Sequence, residues 1–302
     1  MRHTIRNLGL SGYLIATSAF APAVATAQSN SRIVLEPSSG WQASYETGLC
    51  RLTRIFANDS GLHALVFEQR APGATFNLIV TGPALSGIVE SSNVRVDFGP
   101  DGLSAEHPVV KAANPKFDAL MFVQDVGIVA DEPDAGSGTA SIGMAASLNA
   151  IDTAAAKTLR QITIGQGQQA FVFATGALAA PFGVLNDCTS HILETWGLDP
   201  EAHRTAQRRA DMLDKQRVAR GINDYYPPRA AAERRQGVVG VAVMVDETGA
   251  PTDCKITHDS GHDDLNSVTC RQLMKARFDP ALGADGLAMK SYWVTRITFR
   301  LG

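Results

Sequence analysis

The stretch DCKITHDSGHDDLNSVTC, from Asp253 to Cys270, places four side chains of metal-binding or redox type close together. Cys254, His258, His262 and Cys270 form a C-x3-H-x3-H-x7-C cluster. As thiolates and imidazoles they would make a zinc site; under oxidation Cys254 and Cys270 would close a small loop. The two chemistries exclude each other, because zinc needs thiolates and a disulfide removes them. The compartment in which the chain works therefore weighs heavily on the choice.

The first residues address that. The chain opens MRHTIRNLGLSGYLIATSAFAPAVATAQ, with Arg2, His3 and Arg6 giving a positive start and Leu8 to Phe20 an apolar run. Ala25-Thr26-Ala27 then puts small residues where a signal peptidase cuts. A bilayer span needs about 20 continuous apolar residues; this run is shorter and is interrupted by Gly9, Gly12 and Thr17. The expectation is a cleaved signal peptide over residues 1–27 and an exported, periplasmic mature chain starting at Gln28. The alternative is an uncleaved inner-membrane anchor, the one arrangement in which the protein would contact the membrane. No later segment has the length and apolarity of a span.

Four cysteines in an exported chain point to disulfides, and four permit three pairings. Cys50 and Cys188 lie far apart, whereas Cys254 and Cys270 are near neighbours. If the chain has two domains, pairing within each (Cys50 with Cys188, Cys254 with Cys270) is the simplest arrangement. With 27 Lys and Arg against 30 Asp and Glu, the net charge of −3 argues against a nucleic-acid partner. Between Arg204 and Arg235 nine basic residues face four acids, a local excess of 9 − 4 = 5. The acids are interspersed and no long apolar face accompanies them, so this reads as a solvated helical linker and not a lipid-binding helix.

The elements that would position these residues fall into two groups. From Arg32 to Gly197 the segments LTRIFAN, LHALVFEQR, TFNLIVTG, NVRVDFG, ALMFVQDV and SIGMAASL predict strands. Helices are expected over Ala150 to Leu159 and Gly183 to Trp196. In the second, Val184, Leu185, Cys188, Ile192 and Trp196 recur at helical spacing, which puts Cys188 on the buried face. A bridge to Cys50 would clamp that helix to the sheet and contribute about 4–5 kcal/mol by the chain-entropy model. Asp199-Pro200 ends the helix, a polar helix is expected from Pro200 to about Arg220, and residues 199–225 are read as the linker. Beyond it, GVVGVAVMVDETGAPTDCKITHDSG reads as strand, turn and strand. DDLNSVTCRQLMKARF follows as a helix capped by Asp263 or Asp264, and SYWVTRITFRLG as a last strand. The fold expected is α+β in two domains: a mainly-β N-terminal domain with a packed helix (28–198), and a C-terminal β-β-α-β domain (226–302).

Other candidates for chemistry carry little. GQGQQA, Gly165 to Ala170, matches a dinucleotide fingerprint only superficially and reads as a tight turn. His258-Asp259-Ser260 holds the atoms of a hydrolase triad, but neighbours on one strand end cannot converge, and no G-x-S-x-G elbow exists. Cys188-x2-His191 reads as a helix turn, and His63 and His107 stand alone. No enzymatic activity, cofactor or metal is expected.

The C-terminal residues resemble a known family. Tyr226-Pro227 with Ala230, the Gly237 strand, Val245-Asp246-Glu247-Thr248-Gly249, the Ser260-Gly261 turn, Leu265, Arg277-Phe278-Asp279-Pro280-Ala281 and Gly286 follow in order the pattern of a TonB C-terminal domain. From Leu265 to Ala281 the spacing agrees without a gap. The resemblance covers residues 226–301, a quarter of the chain. It implies a periplasmic protein–protein module that binds an extended segment of an envelope protein, such as an outer-membrane transporter, by adding a strand to its sheet. The edge chosen is the last strand, with Ser291, Tyr292, Val294, Arg296 and Thr298 as candidate partner-binding residues; the alternative is that this strand is paired or capped within the fold. Energy-transducing members carry an uncleaved anchor with a histidine and a long Pro-rich spacer, and this chain shows neither, so coupling to the proton-motive force is the alternative reading. The resemblance also puts Cys270 at an inward-facing position, above a strand on which Cys254 is in phase with Ile256. His258 and His262 fall in the turn. Compartment and geometry together favour the disulfide over zinc.

Overall fold

The computed structural model describes residues 31–46, 48–88, 93–114, 117–129 and 150–301. The leader and the expected strand SIGMAASL lie outside these residues. Ten strands come first: β1 (Ser31–Pro37), β2 (Gln42–Glu46), β3 (Leu49–Asn58), β4 (Gly61–Gln69), β5 (Thr75–Thr81), β6 (Asn93–Asp97), β7 (Ser104–Asn114), β8 (Phe117–Gly127), β9 (Ile162–Gln166) and β10 (Gln169–Phe173). The helix α1 (Ala179–Thr195) follows.

The strands pair in the order β1-β10-β9-β6-β7-β8-β5-β4-β3. Residues Ser31 to Leu35 of β1 run parallel to β10, and Glu36 and Pro37 then pair with Ala57 and Phe56 of β3. One strand thus changes partner midway and closes a 9-strand, barrel-like sheet, while β2 continues along β3. Alternation supplies the interior. His63, Leu65 and Phe67 of β4 and Phe76, Leu78 and Val80 of β5 are buried, and the residues between them are less so. The ring of Phe182 on α1 meets Phe67 at 5.0 Å and Phe76 at 5.4 Å, so the helix completes this core. Cys50 and Cys188 are bonded, with Cα atoms 6.0 Å apart, and tie α1 to β3.

Two helical expectations change in this half of the chain. The helix expected from Gly183 begins at Ala179, because Pro181 sits in the first turn, where N–H groups have no intrahelical acceptor to lose. The helix expected over Ala150 to Leu159 is only a 3-10 turn at Ala155–Lys157. The Asp152 carboxylate accepts from Ala154 N and Ala155 N, and Asn186 bonds both backbone groups of Ile151. These side chains take the groups a helix would use.

The rest comprises α2 (Pro200–Arg204), β11 (Asp211–Met212), α3 (Lys215–Asp224), α4 (Pro228–Ala232), β12 (Gly237–Val245), β13 (Pro251–His258), α5 (Asp263–Leu273), β14 (Phe278–Asp279), β15 (Ala281–Leu282), β16 (Ala288–Met289) and β17 (Ser291–Phe299). A three-stranded antiparallel sheet runs in the order β13-β12-β17. Val239, Val241, Val243 and Val245 of β12 share one face with Trp293 and Phe299, and Leu265, Val268 and Leu273 of α5 cover it. The polar helix expected from Pro200 to Arg220 is broken. Met212 pairs with Phe278 and is buried with Ala210, and Val218 and Ile222 of α3 enter the same core. Burying these four apolar side chains outweighs the helical propensity of the polar residues between them. The stretch read as a linker is thus part of the C-terminal core.

Candidate partner-binding site

β17 pairs with β12 over its whole length, from Ser291 opposite Val245 to Phe299 opposite Gly237. Among the described residues it has no other strand partner, so its second edge carries backbone groups outside any ladder. Its side chains divide by alternation. Trp293 and Phe299 point to α5, while Tyr292, Val294 and Arg296 point to the opposite face, which lies against the barrel.

The barrel engages most of the candidate side chains. Tyr292 is 4% exposed; its hydroxyl donates to the Pro72 carbonyl at 3.3 Å, and its ring packs edge-on to Trp196. Burial pushes its phenol well above the ordinary value. Val294 joins Leu193, Leu198, Ala242, Met244 and Tyr292 in a small apolar cluster between barrel and sheet. Arg296 donates to Asn77 Oδ1 at 2.8 Å and faces Asp125 at 3.4 Å. Ser291 Oγ lies 3.2 Å from Nε2 of buried His203. His203 Nδ1 is 2.7 Å from the Asp199 carbonyl, which only accepts; Nδ1 therefore carries the proton and Nε2 accepts from Ser291. Burial holds the His203 pKa below its usual value. Thr298 alone of the five is exposed. Along β17 the barrel holds side chains, and the outer edge offers backbone.

Between barrel and sheet lies a cleft of about 270 Å³, lined by Glu68, Arg70, Asn77, Asp125, His258 and Arg296 among others. On β12 next to it, a Cβ at Gly240 would stand 2.8 Å from His258 Cβ and 2.9 Å from Thr257 Oγ1, so the β12–β13 contact there is close. Arg70 reaches across to donate to the Thr257 carbonyl on β13. Arg70, Asn77 and Asp125 carried no signal in the sequence, since the domains had to be docked before these residues met β17 and β13.

The cysteine–histidine stretch resolves as strand, turn and helix. Cys254 on β13 and Cys270 on α5 are bonded, with Cα atoms 5.7 Å apart. Among the described residues, no three His, Cys, Asp or Glu side chains are grouped as a metal site would need. His258 lies at the barrel-facing cleft, away from the Cys254 side of the sheet, and His262 occupies the N-cap of α5. The cap expected at Asp263 or Asp264 is thus displaced by a residue; both acids sit in the first turn, where the helix dipole favours them, and Asp264 pairs with Arg235 at 2.9 Å.

The motif residues explain one another. The Asp246 carboxylate accepts from Thr248 N, Thr248 Oγ1 and Ala250 N and so shapes the turn between β12 and β13. Gly249 there has φ 81°, and a Cβ on it would stand 2.1 Å from the Phe278 carbonyl oxygen, so the turn seats directly on β14. Tyr226 packs edge-on against Phe299 and donates to the Arg235 carbonyl, which fastens the entry of the module to the end of β17. The G-x-G-x-x-A stretch spans the end of β9, the two-residue turn Gly167-Gln168 and the start of β10, with Gly167 at φ 60°.

The module is a small antiparallel sheet with one face under a helix, and its long last strand has one strand partner among the described residues. Residues 222–301 match the family described as Gram-negative bacterial TonB protein C-terminal, in agreement with the resemblance carried by the motifs. Neither the curated proteins nor the solved structures gave a match to this chain. The family points to a TonB-type role in envelope transport and supplies no catalytic chemistry. Among the described residues no helix is long and apolar enough to cross a membrane.

Proposed function

We propose that this is a periplasmic interaction protein, exported by a cleaved signal peptide, whose C-terminal module binds an extended segment of an envelope protein along the free edge of β17. The observation that carries this reading is the pairing of β17 with β12 alone among the described residues, over nine residues. An extended chain laid there would complete the ladder with main-chain hydrogen bonds. An outer-membrane transporter segment is the partner the family suggests. The barrel acts as a rigid holder that fixes the sheet from its other face.

The experiment is a periplasmic crosslinking pull-down with a photoreactive residue in place of Thr298, which is exposed at the end of the edge. Capture of an outer-membrane protein through Thr298, and not through a control position on the closed barrel, is the expected result. Recovery of no envelope protein would remove the reading. Intact-mass measurement of the exported protein tests the localisation, with a start at Gln28 expected and a retained leader contradicting it.

A further inference from the structure

The barrel wall reaches further than the sheet docked on it. Arg296 of β17 donates to Asn77 of β5 and faces Asp125 of β8, while the Thr257 carbonyl of β13 accepts from Arg70 at the end of β4. Tyr292 of β17 meets the Pro72 carbonyl, in the loop that leads into β5. The strands of the two sheets are therefore aligned: β8 and β5 lie under β17, β4 lies under β13, and numbers rise along β17 and β5 together. Among the described residues the module's sheet ends at β17, but the barrel continues past β8 to β7, with Val109 opposite Val123 and Val110 opposite Phe122. A strand added to the second edge of β17 would lie over the outer faces of β8 and β7.

Two rows of side chains cross those faces. Val66, Ile79, Phe122 and Val110 pair in register across β4, β5, β8 and β7. They alternate with interior residues and so face outward; Val110 is 50% exposed and the other three are half-buried. Ile79 follows Asn77 by two residues as Thr298 follows Arg296, which sets this apolar row at the level of Thr298. The neighbouring row, at the level of Arg296, is polar and holds a bulge. Phe76 pairs with Val126 and Leu78 with Val123, so Gln124 and Asp125 both stand opposite Asn77. Both are exposed, and Asp125 has φ 53°, uncommon outside glycine. The bulge turns the Asp125 carboxylate outward. Its side chain is 69% exposed and touches Arg296 at 3.4 Å, which leaves a carboxylate with further acceptor sites.

We propose that the barrel is the second wall of the binding groove, so that the segment added to β17 is read by side chain as well as by backbone. It would set an apolar residue over Phe122 and Val110, and two positions along it a lysine or arginine on Asp125. The inference rests on strand addition at β17 and names the sequence class of the partner segment. Residues two apart share one face of a strand, and residues opposite Thr298 and Arg296 share theirs, so both side chains would turn to the barrel. Arg296 keeps its bond to Asn77 while Asp125 is shared with the incoming cation.

Photoreactive residues placed singly at Val110 and Thr298 of the whole chain, in its native cells, test the second wall. Val34, 47% exposed on β1 across the barrel, is the control. Mass spectrometry of the crosslinked peptides should find one segment of one envelope protein captured from both positions, at sites within about 7 Å or two residues of each other. That segment should carry a lysine or arginine two residues from an apolar one, and Val34 should not capture it. Asp125→Asn, whose residue type also tolerates a positive φ, should lower capture through Thr298 about fivefold, the weight of one hydrogen bond. Capture through Thr298 with none through Val110, or with a different segment there, would overturn the second wall and leave strand addition standing. Capture through neither position would remove both. A crosslink from Val110 to this chain, in the same or a second copy, would show the wall already covered and overturn the proposal. Unchanged capture in Asp125→Asn would overturn the role of that carboxylate.

Discussion

The barrel and the C-terminal module solve the same problem with opposite outcomes. In the barrel, β1 changes partner to pair with β3 and the sheet closes, which leaves β2, paired with β3 alone, as its edge strand. In the module, three strands leave β13 and β17 with one partner each. On β13 the Thr257 carbonyl is capped by Arg70, and the face behind the sheet is pressed on the barrel. The second edge of β17 is left without a strand partner among the described residues. The comparison teaches where free edges remain: closure leaves the larger sheet only the short β2 among the described strands, and docking narrows the choice on the smaller one.

The disulfides extend the comparison and supply the largest expected effects. Replacing both Cys50 and Cys188 by Ser releases a loop with a separation of 138 residues, and the chain-entropy model assigns about 5 kcal/mol to it. Denaturant unfolding should show the barrel transition moving down while the module's moves less. The Cys254→Ser, Cys270→Ser pair releases a separation of 16 residues, worth about 3 kcal/mol. That is the smaller loss, but it falls on a core of few side chains, and the module should become the first part to unfold. Equal shifts of both parts in either variant would show that barrel and module unfold as one unit.

Tyr292→Phe is a gentler change. It removes the hydroxyl that reaches the Pro72 carbonyl and leaves the ring packed on Trp196. The expected cost is about 1 kcal/mol, felt as weaker coupling between the two transitions, which calorimetry would resolve as a wider separation of their midpoints. The smallest effect belongs to Thr298→Ser, on an exposed side chain, where a stability change within about 0.5 kcal/mol is expected in thermal melts. A larger loss there would mean that this end of the strand is already engaged.

Much of this arrangement could be read from residue order. Alternation in LHALVFEQR and TFNLIVTG located β4 and β5, the helical spacing around Cys188 located α1, and the module's motifs located β12, β13, α5 and β17. The pairing of four cysteines followed from placing two in each domain. What escaped was everything that depends on distant segments meeting. The parallel pairing of Ser31–Leu35 with Gln169–Phe173, which closes the barrel, leaves no local trace. Ala210, Met212, Val218 and Ile222 looked like scattered apolar residues in a charged linker until Phe278 and α5 gave them a surface. In the candidate site, the strand was legible and its surroundings were not. The side chains of Ser291, Tyr292, Val294 and Arg296 are turned to the barrel or to His203, an orientation that docking decides and sequence period does not.

The central claim is that β17 presents a free backbone edge, and residue-resolved amide exchange by NMR tests it most directly. The account predicts alternation along Ser291–Phe299: amides bonded to β12 strongly protected, and those between them exchanging freely. Uniform protection of every amide in the strand would contradict it, because the second edge would then already be paired.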